Sequence, residues 1–230
     1  MFLFVIIFIL GASIASFLNV VAKALASHST WHNRRSACPK CHTTLHPAQL
    51  MPVFSYIFLK GRCCHCKTKI PIIYFLVEII GGSAFLISFS LNPVSPQDII
   101  TSWIFLSMLL ISALTDIYGL LIPNKMLLVF APFLLINNPN IIGFIIAFLF
   151  FNSTFLLGKL IFKKETIGGG DIKLYMLIGL FLPTYYLFVA VLISSAAALL
   201  YLIITKKQNE IPFAPFIAIG SCLAYIISNI

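Results

Sequence analysis

Apolar residues run along this chain in long stretches that polar positions only briefly interrupt. Eight such segments stand out, at 2–22, 71–91, 98–115, 121–137, 140–162, 171–183, 184–204 and 211–229. A helix of about 20 residues crosses a bilayer's hydrocarbon core, and most of the segments approach that length. The pattern predicts an all-α membrane protein, a polytopic bundle of about eight transmembrane helices. The weakest division is that between the sixth and seventh segments, where only Pro183-Thr184 intervenes. The first segment has a signal peptide's position but lacks its basic flank, and it stays apolar from Phe2 to Val21, so an uncleaved helix is expected. One polar stretch, 23–70, is long enough to form a small domain of its own.

Composition supports this reading. The 230 residues are 60% hydrophobic and 9% charged, whereas soluble domains are about a quarter charged. The net charge of +9 raises the question of nucleic acid. Eight of the 15 Lys and Arg, however, lie between Lys23 and Lys69 with no acid among them. No nucleic-acid reader motif accompanies them, so no nucleic-acid partner is expected. A cytoplasmic loop facing anionic lipid headgroups explains the clustering. Alternation of spans then places Leu91 to Pro96 and Asn137 to Asn140 outside, and both stretches lack Lys and Arg. It places Lys159, Lys163 and Lys164, and Lys206 with Lys207, inside. Both termini come out on the external side, and Asp116 and Asp171 come out at the cytoplasmic face.

Two C-x2-C knuckles lie in the first loop: Cys38-Pro39-Lys40-Cys41 and, after 21 intervening residues, Cys63-Cys64-His65-Cys66. Paired thiolates at this spacing converge on a tetrahedral zinc ion, and four of them leave it no open position. The expected metal is therefore structural Zn²⁺, held by Cys38, Cys41, Cys63 and Cys66 in a compartment that keeps thiols reduced. Cys64 and His65 stand close enough to compete as ligands. The other four histidines, all in the same loop, read as solvated side chains.

The chain has six acids. Asp98, Glu165 and Glu210 fall in loops, and solvated surface accounts for them. Asp116, Asp171 and Glu78 fall within or beside spans, where an ionisable side chain is a candidate for function. Two carboxylates brought together share a proton, so one can polarise a carbonyl while the other activates water. Equally, each Asp could cap its helix or pair with a lysine. Gly168-Gly169-Gly170 before Asp171 would allow positive φ and close backbone approach. A phosphate cradle would need a different motif.

Together these residues resemble the type IV prepilin peptidase family, membrane aspartic proteases with a Gly-x-Gly-Asp hallmark. The resemblance rests on Ala15 to Val21, on Cys38-Pro39-x-Cys41 with Gly61-Arg62-Cys63-x-x-Cys66, and on Leu76-Val77-Glu78. It also rests on Asp116-x5-Ile122-Pro123-Asn124, on Gly168-Gly169-Gly170-Asp171-x-Lys173 and on Phe213-Ala214-Pro215-Phe216. It implies a first transmembrane helix at 1–22, a zinc-binding loop at 23–70 and an aspartic peptidase core at 71–230. It implies catalysis by Asp116 and Asp171, with Gly168, Gly169, Gly170, Lys173 and Glu78 serving substrate approach. The substrates would be prepilin or pseudopilin precursors in the bacterial inner membrane, cut on the cytoplasmic side to release a basic leader. Many members then methylate the new N-terminus with S-adenosylmethionine. Ile72-Ile73-Tyr74-Phe75 departs from the family's usual run near the region tied to methylation. Two other classes compete. A membrane thiol oxidoreductase would use the knuckles but leave the Asp motifs unexplained. An ion-coupled transporter would carry its acids near mid-membrane.

Overall fold

Each of the eight apolar segments folds as a helix. In the computed structural model the described residues are 2–27, 29, 36–38, 40–91, 95–136, 138–163, 167–206 and 210–230. Asn92 to Val94, Asn137, Lys164, Glu165 and Lys207, used above for the loops, and Pro39 of the first knuckle lie outside them. The helices are α1 (Phe2–Ala26), α2 (Phe54–Phe58), α3 (Ile72–Leu91), α4 (Pro96–Gly119) and α5 (Asn124–Leu134). They continue with α6 (Ile141–Phe162), α7 (Gly169–Phe181), α8 (Thr184–Thr205) and α9 (Ala214–Ser228). No described residue belongs to an extended strand; two isolated bridges lie in the polar loop.

Five of these, α1, α3, α4, α6 and α8, are long and apolar enough to cross a membrane alone. The other three apolar segments give helices too short to cross a membrane alone, and the sequence supplies the reasons. Helix α5 has 11 residues, begins after Pro123 and carries Pro132 near its end. Helix α7 has 13 and stops at Leu182-Pro183. Helix α9 has 15 and starts at Ala214-Pro215. At 1.5 Å per residue they reach only about 16–23 Å, short of the roughly 30 Å hydrocarbon core. Proline removes a backbone donor and clashes with the preceding turn, so each apolar run is cut where proline falls.

The chain divides into two units, Met1–Ser90 and Leu91–Ile230. In the first, α1 and α3 meet through small residues. A Cβ on Gly11 would lie 2.7 Å from Phe85 Cβ, and one on Gly82 would lie 2.7 Å from the Phe8 ring. Glycine there lets two helices approach closely where lipid provides no hydrophobic drive. In the second, α4 packs on α5 and α9, α8 on α9, and α6 on α7. Phe105, Met108, Leu109, Leu174, Ile178 and Ile217 fill its interior, while Leu149, Leu160, Leu192 and Ile204 are exposed on helix flanks. An apolar exterior over a packed interior is what a lipid solvent selects.

Candidate active site and metal centre

The candidate metal centre is built from two copies of one local turn. Cys38 N–H donates to Thr43 O (3.0 Å) and His42 N–H to Cys38 O (2.9 Å). In the second knuckle Cys63 N–H donates to Thr68 O (2.9 Å) and Lys67 N–H to Cys63 O (3.0 Å). His42 and Lys67 both take positive φ, 55° and 57°, to close these turns. Bridges Ala37–Thr44 and Arg62–Lys69 flank them. The four sulfurs of Cys38, Cys41, Cys63 and Cys66 all lie within 4.8 Å of one another. Cys38 and Cys66 are 3.7 Å apart and Cys41 and Cys63 are 3.9 Å apart. A tetrahedron with Zn–S bonds of about 2.3 Å has edges of roughly 3.8 Å, so the cluster has the dimensions of a four-thiolate zinc site. The Thr68 side chain and backbone hold the Cys66 thiol down to about 6, and Thr43 lowers Cys41 in the same way. The competition at the second knuckle resolves by position. Cys64 Sγ instead receives a 3.1 Å hydrogen bond from Gln49 Nε2, and His65 is exposed outside the cluster.

Glu78 sits in the same unit and is 9% exposed. Its Oε1 accepts from Ser16 Oγ (2.8 Å) and its Oε2 from Val53 N–H (2.7 Å). It thus ties α3 to α1 and to the loop. Val53 has φ 65° and ψ −54°, and Phe54 N–H donates to Pro52 O at 2.7 Å. This is the rare, strained form of the γ-turn, made at a β-branched residue. The sequence signalled Glu78 but neither of its partners.

In the second unit Asp116 lies one turn before the end of α4 and is 7% exposed. Leu120, in the left-handed conformation at φ 50°, caps α4 by donating its N–H to Asp116 O at 2.8 Å. The side chain is held from elsewhere: Asp116 Oδ2 accepts a 2.7 Å hydrogen bond from Ala214 N–H, at the start of α9. Asp171 occupies the first turn of α7, where the unpaired N–H groups favour a negative charge. Tyr175, one turn beyond Asp171, stacks on Phe151 at 4.3 Å and shares a 2.8 Å hydrogen bond with Ser194 Oγ.

The glycines act differently from the expectation. Gly168, Gly169 and Gly170 do not adopt positive φ; Gly61 is the glycine that does, at 64°. The triplet instead supplies room. A Cβ on Gly168 would come within 3.0 Å of Asp171 Oδ2, and one on Gly170 within 3.0 Å of Ile122 Cβ. At Gly169 a Cβ would meet nothing within 4 Å. Gly168 and Gly170 therefore permit tight packing, and Gly169 is the glycine that faces open space. Lys173 Nζ donates to Asn124 Oδ1 at 2.8 Å. The segments Asp116-x5-Ile122-Pro123-Asn124 and Gly168 to Lys173 consequently meet at two places.

Comparison with known proteins follows the same division. The profile of the bacterial peptidase A24 N-terminal domain matches residues 9–91, and that of the type IV leader peptidase family matches residues 103–203. A prepilin leader peptidase/N-methyltransferase of Bacillus subtilis is 36% identical over 97% of this chain and 94% of its own length. The chain belongs to the type IV leader peptidase family. A Vibrio cholerae relative of the same description is 30% identical over 97% of both chains. A type 4 prepilin-like proteins leader peptide-processing enzyme of Escherichia coli is 29% identical over 81% of this chain. No solved structure matches significantly. Within the family frame, the first matched stretch contains the four-cysteine cluster and Glu78, and the second contains both aspartates. Ala214 lies beyond both.

Proposed function

We propose that this membrane peptidase removes the leader from prepilin-like precursors, with Asp116 and Asp171 as its catalytic pair. One observation supports the assignment above the others. Aspartates 55 positions apart in the sequence lie in segments that pack on each other, with Gly170 against Ile122 and Lys173 bonded to Asn124. Two such carboxyls share one proton. The protonated member donates to the scissile carbonyl oxygen, and the ionised member takes a proton from water as the water oxygen attacks the carbonyl carbon. Collapse of the tetrahedral species breaks the C–N bond, and the proton passes to the leaving amine. The Ala214 N–H fixes one Asp116 oxygen and leaves the other for water. Gly169, beside open space, is the place for substrate backbone.

The same reading takes all eight apolar helices as membrane-embedded, with both termini outside and the aspartates at the cytoplasmic face of a bacterial inner membrane. The asymmetry of Lys and Arg supports that orientation. The four-cysteine cluster fits zinc, which would supply folding energy to the 23–70 loop and no step of the reaction. Methylation of the new N-terminus by S-adenosylmethionine rests on the relatives' descriptions, and we assign no residue to it. The functional test is cleavage of a purified precursor by the protein reconstituted in lipid. Mass spectrometry should find one cut, between the basic leader and the apolar helix. Cuts scattered along the precursor would contradict the proposal.

A further inference from the structure

The polar loop has an exposed face that is apolar. Leu50, Met51, Phe54, Ile57 and Phe58 are 46%, 49%, 40%, 56% and 81% exposed. Phe54, Ile57 and Phe58 recur at the three- and four-residue spacing of one face of α2, and Leu50 and Met51 precede them in the turn before it. The opposite side of α2 is occupied: Tyr56 stacks on Phe75 at 4.9 Å and donates its hydroxyl hydrogen to Ile70 O at 3.3 Å. A water-facing helix would carry polar residues on its outer side. A contiguous exposed apolar patch marks a surface that is covered by something else.

The depth of the patch indicates what covers it. Lys23 Nζ lies 3.4 Å from Tyr74 Oη near the loop ends of α1 and α3, and Lys and Tyr are residues that settle at the membrane interface. Val53 is bound to Glu78, one turn further along α3 than Tyr74. That is about 6 Å deeper along the helix axis. Ser16, the other partner of Glu78, lies ten residues before the end of α1, or about 15 Å along it. The segment around Val53 is therefore pinned alongside the spans rather than above them. The strained turn at Val53, held by a buried carboxyl group, directs the chain into α2, which Tyr56 keeps beside Phe75 in the first turn of α3.

Beside the patch is a cleft of about 520 Å³ lined by Phe58, Leu59, Lys60, Arg62, Cys63, Cys64 and Lys67. Lys60, Arg62 and Lys67 are exposed. Glu78 is the sole acid among residues 1–90, and its oxygens are already bonded to Ser16 and Val53. The cleft thus has three cations and no carboxylate to neutralise them. Apolar side chains at interfacial depth with cations next to them match the acyl region and headgroups of an anionic leaflet.

We propose that Leu50–Phe58 is an interfacial anchor that inserts Phe54, Ile57 and Phe58 into the adjoining leaflet, while Lys60, Arg62 and Lys67 receive the phosphate of an anionic phospholipid. Glu78 is the positioning residue that sets the anchor's depth through Val53. The inference concerns the first unit alone and stands whether or not the aspartate pair is catalytic.

The test uses the full chain in nanodiscs, with Trp31 and Trp103 replaced by Phe and zinc content checked for each variant. F58W and I57W report on the patch, and T44W reports on the exposed first knuckle. In lipid with brominated acyl chains, the fluorescence of F58W and I57W should fall severalfold while T44W barely changes. Adding Glu78→Ala should weaken the quenching of F58W while zinc is retained. Phosphatidylglycerol co-purifying from equimolar phosphatidylcholine–phosphatidylglycerol discs should drop severalfold in the K60Q/R62Q/K67Q variant. Equal quenching of F58W and T44W, or photocrosslinks from position 57 to protein in place of lipid, would overturn the anchor. Unchanged quenching in the Glu78→Ala background would remove Glu78's role. Unchanged phosphatidylglycerol retention would remove the headgroup site.

Discussion

Asp116 accepts a 2.7 Å hydrogen bond from the backbone of Ala214, on a helix that begins almost a hundred residues later. The bond orients one carboxylate of the proposed pair without using another side chain. It separates the carboxylate's structural role from its chemical one. Asp116→Asn keeps an oxygen acceptor for Ala214, whereas Asp116→Ala leaves a buried N–H unpaired, a loss of about 1–3 kcal/mol. Both variants should be inactive, but only Asp116→Ala should show a clearly lower thermal unfolding temperature in detergent. Equal melting of the two would show that the Ala214 bond carries no weight.

Gly169 and Gly170 should respond differently to the same added methyl group. Gly170→Ala places a Cβ 3.0 Å from Ile122, and overpacking of this kind costs about 1–3 kcal/mol. Gly170→Val should therefore lose stability together with cleavage. Gly169→Ala meets no neighbour and should melt like the wild type, or slightly higher, because alanine favours a helix. If substrate backbone passes over Gly169, that variant should still cleave more slowly, chiefly through a raised KM. Wild-type kinetics for Gly169→Ala would move the approach path elsewhere.

Lys173 and Asn124 join the two aspartate-bearing segments through an exposed 2.8 Å hydrogen bond. A solvent-exposed pair contributes about 1 kcal/mol or less, so Lys173→Ala should lower kcat/KM by less than about tenfold. Asn124→Ala should do the same, and the double variant should be little worse than either single one. Additive losses would mean that Lys173 acts on substrate rather than through Asn124.

The zinc loop makes a separate prediction. Purified protein should contain about one equivalent of zinc, and Cys38→Ser/Cys63→Ser should contain none. Because closed zinc sites contribute folding energy, that variant should become protease-sensitive within 23–70. Cys64→Ser should keep its zinc, since Cys64 lies outside the cluster. Loss of metal from Cys64→Ser would reassign the ligands.

The positions of the helices were legible because lipid demands apolar runs, and each of the eight runs became a helix. Their lengths were less legible. At α5 and α9, proline at 123, 132 and 215 shortens what hydropathy alone extends. The cysteines could be read from spacing, since chelation by C-x2-C is a local geometry. The aspartates could be picked out as costly acids, but what holds them could not. Ala214 contributes a backbone N–H, which no side-chain pattern announces. Likewise Glu78 was visible as a membrane acid, while its partner Val53 belongs to a turn that propensities disfavour. The glycine triplet does not take the positive φ expected of it. The room the triplet leaves is set by Ile122, far along the chain, and by Asp171, three residues on from Gly168.

The central claim is that Asp116 and Asp171 act as one catalytic unit. Its most direct measurement is single-turnover cleavage of a purified precursor by wild-type protein, Asp116→Asn, Asp171→Asn and the double variant, each matched for membrane insertion and zinc content. Removing either member of a unit costs about as much as removing both. The account predicts that both single variants fall to the background of the double variant. Full cleavage by either single variant, with zinc and folding intact, would contradict it.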